Sequence, residues 1–294
     1  MDTVKCTALL KALEIGNLSG AAEALGYTPS GMSRMMASLE QELGFPLLVR
    51  SKSGVAPTPD CTRLISIFAE LSAAGRTLDE TAAHIRGADV GTVRVGTAYP
   101  QLYGTLARIL TEFGELHPSV SVDLSLANST PLVQQLEARE IDLCIISKRK
   151  GALKWIPLFE DEHVAIISAN HPLADKPAVP IAHFVEEGFI EVFPGQESDN
   201  SRLLAKHGIR PDVRFTVTDT QAAHELVAAN LGITLMNHLY ATDLGGRVRI
   251  KSLDPRSVVE IGLALPDCTA LPPAVQAFVD FALPYLRDAG RTDR

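Results

Sequence analysis

Four cysteines in 294 residues, Cys6, Cys61, Cys144 and Cys268, stand far apart and form no C-x-x-C pair. That usage argues against a disulfide scaffold or a zinc site and reads as reduced, mostly packed thiols of a cytoplasmic protein. Apolar runs are short as well. None approaches the roughly 18 residues of a spanning helix, and no basic-then-apolar leader opens the sequence, so membrane insertion and secretion are not expected. Low-complexity segments and short internal repeats are missing. So are the common catalytic signatures: no G-x-S-x-G elbow, no phosphate loop and no G-x-G-x-x-G. "HELVA" from His224 opens like a zinc-protease helix, but Ala228 stands where the second His belongs. Neither Cys144, inside an apolar strand, nor Cys268 has a local activator, which disfavours a redox pair. No catalytic residue, metal or cofactor is expected. Excess positive charge is lacking too. The net charge is −8 and the pI about 5.5, so any attraction to nucleic acid must come from a local patch.

What is present is ordinary globular material, 46% hydrophobic and 21% charged, long enough for two or three domains. Val4 to Ile15 has helical spacing and stops at Gly16-Asn17. Ser19 is positioned to cap a second short helix, Gly20 to Leu25, in which Ala21 and Ala22 leave room for a close neighbour. Thr28-Pro29 then starts a third helix, since a Thr cap followed by Pro at the first helical position is a strong signal. Met32, Met35, Met36, Leu39 and Leu43 fall on one stripe, and Gly44 ends the helix. The opposite face shows Ser30, Ser33, Arg34, Ala37 and Gln41, where a merely solvated helix usually carries Lys and Glu. Small residues allow a backbone to lie deep in a major groove, with hydroxyls and one Arg reaching phosphates and base edges. "VRSKSGVAPT", Val49 to Thr58, suits a β-hairpin with Arg50 and Lys52 beside its Gly tip. The ordered set reads as a winged helix-turn-helix whose DNA-contacting candidates are Thr28, Pro29, Ser30, Ser33, Arg34, Arg50 and Lys52. Residues 1–60 nevertheless hold five basic and six acidic side chains, a poor footprint for a DNA binder. The reading therefore needs Arg34, Arg50 and Lys52 to share one face, and dimerisation to double it.

"LSGAAEALG", "TPSGMS", "LEQELG" and "LLVR" follow the motif order of one known family, and on them the sequence resembles the LysR-type transcriptional regulators, over the whole chain. Thr28-Pro29-Ser30 shifts the usual proline by one position, Leu48 stands in place of Phe, and Cys61 in place of Gly. From Thr62 to Arg86 no proline interrupts, and Leu64, Leu71, Leu78 and Ile85 repeat every seven residues, with Ile67, Ala74 and Thr81 at companion positions and imperfections at Gly75 and Thr81. This heptad seam is expected to pair with its copy; in the family the helix is the dimer linker.

Beyond Gly91, strand-like stretches alternate with helical ones, implying a parallel sheet with right-handed crossovers in two α/β subdomains. The chain is expected to cross between them near Glu160–Val164 and again near Gly262–Pro266. The expected division is 1–60 winged helix-turn-helix, 61–89 linker helix and 90–294 effector domain, with subdomain I about 90–162 and 265–294 and subdomain II about 163–264. The last part looks like the family's effector domain, similar to periplasmic solute-binding proteins. Such sheets bind ligands at the carboxyl ends of their strands. Those ends supply Thr97, Ala98, Tyr99, Asn128, Ser129, Thr130, Ser147, Gln196, Glu197, Ser198, Thr218 and Thr220. Helix starts at the same edge favour an anion such as a carboxylate, although each Ser or Thr alone reads as a plain cap. His163 and His224 are equally open to structural or functional roles. The resemblance implies a regulator that binds double-stranded operator DNA as a homodimer or homotetramer, responds to a small-molecule effector and acts with RNA polymerase. A DNA-binding regulator without a physiological ligand, and a two-subdomain enzyme, stay open as alternatives.

Overall fold

The computed structural model describes residues 2–51, 54–151, 153–241, 244–268 and 270–290. Three helices open it: α1 (Thr3–Ile15), α2 (Leu18–Ala24) and α3 (Pro29–Leu43). Ala8, Leu9, Ala12, Ala21, Ala22, Met32, Met36 and Leu39 meet in a fully buried core, the alanines letting the helix axes approach. Thr28 caps α3, its Oγ1 accepting from the Gly31 amide at 3.1 Å. The cap of α2 is Asn17 and not Ser19: the Asn17 side chain reaches the Gly20 amide at 2.7 Å, so the helix begins two residues earlier than expected. The wing is β1 (Leu48–Ser51) paired with β2 (Gly54–Pro57). It is pinned to the end of α1, because Val55 N–H donates to Gly16 O at 2.7 Å. Gly54 makes that approach possible: its φ is 127°, and a Cβ there would lie 2.2 Å from the same carbonyl oxygen.

Thr58 caps the long helix α4 (Pro59–Ile85). The seven-residue seam is split rather than continuous. Leu64 and Leu71 pack, with buried Phe68, against the N-terminal core, while Ile67, Leu78 and Ile85 stay 49%, 69% and 80% exposed. Gly75, an imperfection in the heptad, lies where a Cβ would come within 2.9 Å of the Thr3 side chain, so the start of α1 explains it. Farther along, Arg76 pairs with buried Asp142, whose Oδ2 also accepts the Arg94 amide at 2.8 Å. Glu80, 9% exposed, has its pKa raised by burial.

The rest forms two lobes. In the first, β3 (Gly91–Thr97), β4 (Val120–Leu126) and β5 (Leu143–Ser147) are parallel and are covered by α5 (Tyr103–Leu116) and α6 (Ser129–Glu137). The sheet as a whole is mixed, contrary to the all-parallel expectation. Its order is β4-β3-β5-β12-β6-β11-β7, with β10 (Thr234–Asn237) also on β6. Here β6 is Leu153–Ser168, β7 Ala178–Pro180, β11 Val248–Asp254 and β12 Val258–Pro266. Strand β6 pairs with β12 through residue 162 and with β10 and β11 from 163, so it crosses between lobes inside the expected 160–164. The return crossing falls between β11 and β12, before residue 258, and not at Gly262–Pro266. Gly262 marks instead a bulge in β12 where a Cβ would strike the Trp155 ring at 2.4 Å. The second lobe adds β8 (Gly188–Val192) parallel to β9 (Asp212–Val217), with α7 (Asp199–Lys206) and α8 (Thr220–Ala228). Helix α9 (Pro273–Ala289) returns to the first lobe, where Phe278 meets Phe113 edge-on at 5.2 Å.

At the crossing, the Asp161 carboxylate is buried and accepts backbone amides of Glu162 (2.9 Å) and Leu239 (3.2 Å). Burial outweighs those bonds and pushes its pKa from 3.8 up to about 6. Because the folded value lies above the unfolded one, its stabilising contribution is complete below about pH 4 and is lost as pH rises through 6. Comparing chemical denaturation of Asp161→Asn and the parent from pH 4 to 7.5, we expect the difference to move in the variant's favour by roughly 2 kcal/mol; a pH-independent difference contradicts it.

Candidate functional site

Two surfaces carry the chemistry. On the first, the N-terminal end of α3 leaves Thr28, Pro29, Ser30 and Arg34 exposed on one ridge, continued by Ala37 and Gln41. Arg34 Nε donates to its own helix at Ser30 O (3.3 Å), and the Thr28 and Ser30 hydroxyls lie 3.2 Å apart. From the wing, Arg50 Nη1 donates to Ser33 Oγ at 3.3 Å, so a second guanidinium sits against the same ridge. Lys52 lies outside the described residues. The acidic count is less damaging in three dimensions than in sequence. Glu40 turns inward and accepts the Leu47 and Leu48 amides at 2.8 and 3.1 Å, Glu42 pairs with Lys5, and Glu14 pairs with Lys11 at 2.9 Å. The positive end of the α3 dipole and two guanidiniums thus form a compact cationic surface on an acidic protein.

The second surface is the cleft between the lobes. A small cavity, about 60 Å³, is lined by Ala98, Tyr99, Asn128, Ser129, Glu197, Ser198 and Thr220 among the expected residues. Thr97 and Ser147 lie fully buried beneath it. Thr97 Oγ1 accepts the Tyr99 amide at 3.1 Å, and the Ser147 amide donates to Ser129 Oγ at 3.3 Å. Asn128 does not cap α6; its side-chain amide donates to Gln196 across the cleft. Thr130 sits at the rim, donating to Glu197 O at 3.4 Å. Thr218, in the bend just after β9, is exposed and does not line the cavity.

Sequence reasoning missed the centre of this cleft. Asp199, the first residue of α7, receives Ser147 Oγ at 2.8 Å and Arg149 Nη1 at 2.9 Å from the first lobe. From its own lobe it receives Arg202 Nη2 at 2.5 Å and Asn237 Nδ2 at 3.3 Å. The Arg149 and Asp199 side chains are only 8% and 12% exposed, and burial lowers the Arg149 pKa without discharging a guanidinium. Four side-chain donors, and not the helix starts expected from the sequence, thus converge on a carboxylate of the protein itself. Arg149 sits in "SKRK" and Asp199 after a Ser cap, both of which read as solvated in sequence. Beside them the Tyr99 hydroxyl is buried next to Ser147 with no well-formed hydrogen bond among the described residues, and burial raises its pKa well above the usual range. Its ring packs 5.7 Å from Tyr240, whose hydroxyl donates to Ala98 O.

A larger cavity, about 460 Å³, lies in the second lobe beneath α7, walled by Phe189, Leu204, Ile209, Val213 and Leu235. It shares Val192, Phe193, Ser198 and Asn200 with the cleft, so the start of α7 is the partition between the two. The histidines resolve differently. His224 is buried with Nδ1 2.6 Å from Thr220 O, a helical contact, while His163 shares Nδ1 with Ser257 Oγ at 3.2 Å and has its pKa lowered by burial. Cys144 is fully buried in β5 and its thiol is pushed up to about 12, which leaves it inert beside exposed Cys268.

Two family descriptions match these parts: "Bacterial regulatory helix-turn-helix protein, lysR family" over residues 5–62 and "LysR substrate binding domain" over 86–287. The uncharacterized regulator YvbU of Bacillus subtilis is 22% identical over 285 residues, covering 96% of this chain and 98% of its own. MetR of Escherichia coli is 25% identical over 309 residues, covering 99% and 95%. A full-length variant of OxyR from Pseudomonas aeruginosa matches at a TM-score of 0.75 and 17% identity, covering 100% of this chain and 98% of that one. The effector binding domain of QuiR in complex with shikimate matches at 0.58 and 23%, covering 68% and 98%. The structural likenesses speak for the fold, and the two domain matches for the family. The chain belongs to the LysR family of transcriptional regulators, with a DNA-binding helix-turn-helix joined to an effector-binding domain.

Proposed function

We propose that this regulator reads operator DNA through the α3 ridge and Arg50, as a dimer, and that an organic acid entering the cleft resets it by displacing Asp199. The observation that carries the reading is the four-donor nest around that carboxylate: two guanidiniums, a hydroxyl and an amide, with the buried Tyr99 hydroxyl alongside. A ligand carboxylate can take the Arg149 and Ser147 contacts, and a ligand oxygen the Tyr99 proton. The 60 Å³ void is well below an ordinary ligand pocket of about 300–1,000 Å³, so binding anything beyond the smallest organic acids requires the lobes or α7 to move. That movement supplies the two states with different ligand affinity that regulation needs. Thr130, Gln196, Glu197 and Thr220 sit around the cleft, and Thr218 is dropped from the site. A regulator without a physiological ligand is the second reading; the self-filled cleft favours it. Turnover has no support here, because the family and the relatives are transcriptional regulators.

For the dimer, exposed Ile67, Ala74, Leu78 and Ile85 give α4 an unpartnered apolar stripe at a and d spacing. Two DNA heads joined there match a two-fold related site. Action at promoters makes RNA polymerase the further partner. Among the described residues no helix is long and apolar enough to cross a membrane, which agrees with work in the cytoplasm, where the DNA is.

Three measurements test this. Arg34→Ala should weaken binding to a selected operator fragment by roughly 1–3 kcal/mol in a mobility-shift titration, with ligand affinity intact. Leu78→Glu should shift sedimenting mass toward the monomer; an unchanged dimer would remove α4 as the interface. Calorimetry against pools of small carboxylic acids should find a ligand for the parent chain. Arg149→Met should bind it about 10–100-fold more weakly, the worth of a charge-assisted contact, and Asp199→Asn more tightly. Equal affinity in all three proteins would end the displacement reading.

A further inference from the structure

A cluster in the second lobe has no part in either surface. His171 lies in the turn after β6, His183 in the 3-10 turn Ile181–Val185, and Glu187 just before β8. None of the three lines either cavity. His171 is 8% exposed, and the Nε2 atoms of both histidines are buried without a hydrogen-bond partner. Both nitrogens lie near one atom, without the alignment of a hydrogen bond: Glu187 Oε1 is 3.4 Å from His171 Nε2 and 3.3 Å from His183 Nε2. All three donor atoms fall within 4.8 Å of one another.

These separations are informative. A charge-assisted N–H···O bond closes to about 2.7–2.9 Å. Ligand atoms about 2.0–2.1 Å from a tetrahedral zinc ion stand about 3.3–3.4 Å apart. The two ring-to-carboxylate distances match the second figure and not the first. The rings meet edge to face, 85° apart with centroids 5.9 Å distant, which lets both nitrogens converge instead of stacking. Outside the cluster, Glu186 Oε2 lies 3.0 Å from His183 Nδ1, the carboxylate support that holds a ligating imidazole in its tautomer. Glu187 is 36% exposed at its side chain, so water can reach a fourth position.

The geometry points to a divalent transition-metal site of the zinc type, with His171 Nε2, His183 Nε2 and Glu187 as protein ligands and water completing a tetrahedron. An N₂O donor set selects zinc or cobalt over the hard cations magnesium and calcium, which take oxygen ligands. One contact has to change on loading. Leu173 N–H donates to His171 Nδ1 at 3.1 Å, which places the ring proton on Nε2. Metal capture takes that nitrogen, the ring proton moves through solvent to Nδ1, and the Leu173 amide loses its acceptor. The metal thus ties the turn after β6 to the segment that leads into β8, the strand next to the wall of the effector cleft. Sequence alone hides the set, because His171 and His183 are twelve residues apart in unrelated turns.

The test uses the full-length chain, stripped with chelator. Cobalt(II) titration should give one equivalent per chain with the visible d–d bands of tetrahedral coordination and no thiolate charge-transfer band. Zinc should displace the cobalt. His183→Ala and Glu187→Gln, the latter nearly isosteric, should each lose at least about 100-fold in affinity, since even outer-shell changes cost 10–100-fold. His207→Ala, at an exposed histidine elsewhere, should bind like the parent, and the Leu173 amide resonance should shift on loading. Absence of a tetrahedral spectrum in the parent, or equal affinity in the parent and both ligand variants, overturns the site.

Discussion

The Asp199 carboxylate is the interaction on which the arrangement of the lobes depends. It is nearly out of water, and an isolated buried carboxylate would cost several kcal/mol. Its cost is offset because Arg149 and Arg202 bring opposite charge, Ser147 and Asn237 bring further donors, and the start of α7 supplies a favourable dipole. Two of these donors belong to the first lobe and two to the second. Removing the carboxylate therefore leaves Arg149 buried without its partner, a heavier penalty than the pair is worth on its own. A lobe cannot swing away without opening that pair to water, and β6, continuous through both lobes, confines whatever swing there is to a bend of one strand. The small void and the carboxylate held among its donors are the same fact viewed from two sides.

Helix α4 is the second constraint, and it serves three masters along its length. Its first half completes the core of the DNA head through Leu64, Phe68 and Leu71. Its middle yields room to α1 at Gly75. Its last turns are held to the effector domain by Arg76 on Asp142, a carboxylate that also fixes the β3 backbone at Arg94. The helix has no proline inside it and runs unbroken from the DNA head to the effector domain, so it is the continuous element that joins the two. The exposed stripe runs between these attachments, so a partner helix would meet α4 on the face that neither domain uses.

How far the sequence could be read follows from which signals are local. Caps, helix stops and apolar stripes in the first sixty residues are short-range, and they gave α1, α3 and the wing nearly to the residue; Asn17 in place of Ser19 shows that two adjacent capping residues cannot be ranked without the backbone. Strands with clean apolar runs, such as β3 and β5, were equally plain. The first half of β6, "LKWIPLFEDE", shows no clean alternation because a Pro and four charged residues interrupt its apolar positions, and β11, "VRIKSLD", alternates but carries Arg249 and Lys251. The cleft was legible as a place, from strand ends and helix starts. Its chemistry was not, since Arg149 and Asp199 acquire meaning only when two segments fifty residues apart in sequence meet. The charge count of the DNA head misled in the same way: Glu40 is spent on backbone amides and Glu42 on Lys5, which no count records.

That last point sets the character of DNA recognition. A ridge with two described guanidiniums on a chain of net charge −8 gains little from long-range attraction, and the repulsion between the acidic remainder and the duplex is screened beyond a Debye length of about 10 Å. Affinity must come instead from fit at contact. The wing fixed to the Gly16 carbonyl and the capped α3 are suited to this, because they hold Arg50 and Arg34 in place before DNA arrives and leave less side-chain and loop freedom to lose. Few phosphate contacts also mean a shallow dependence on salt, since each neutralised phosphate contributes about one unit of slope. A protein built this way depends on groove shape and on the spacing of two heads more than on charge. Any shift of α4 that alters that spacing then acts directly on binding, which is how a small cleft so far along the chain can control it.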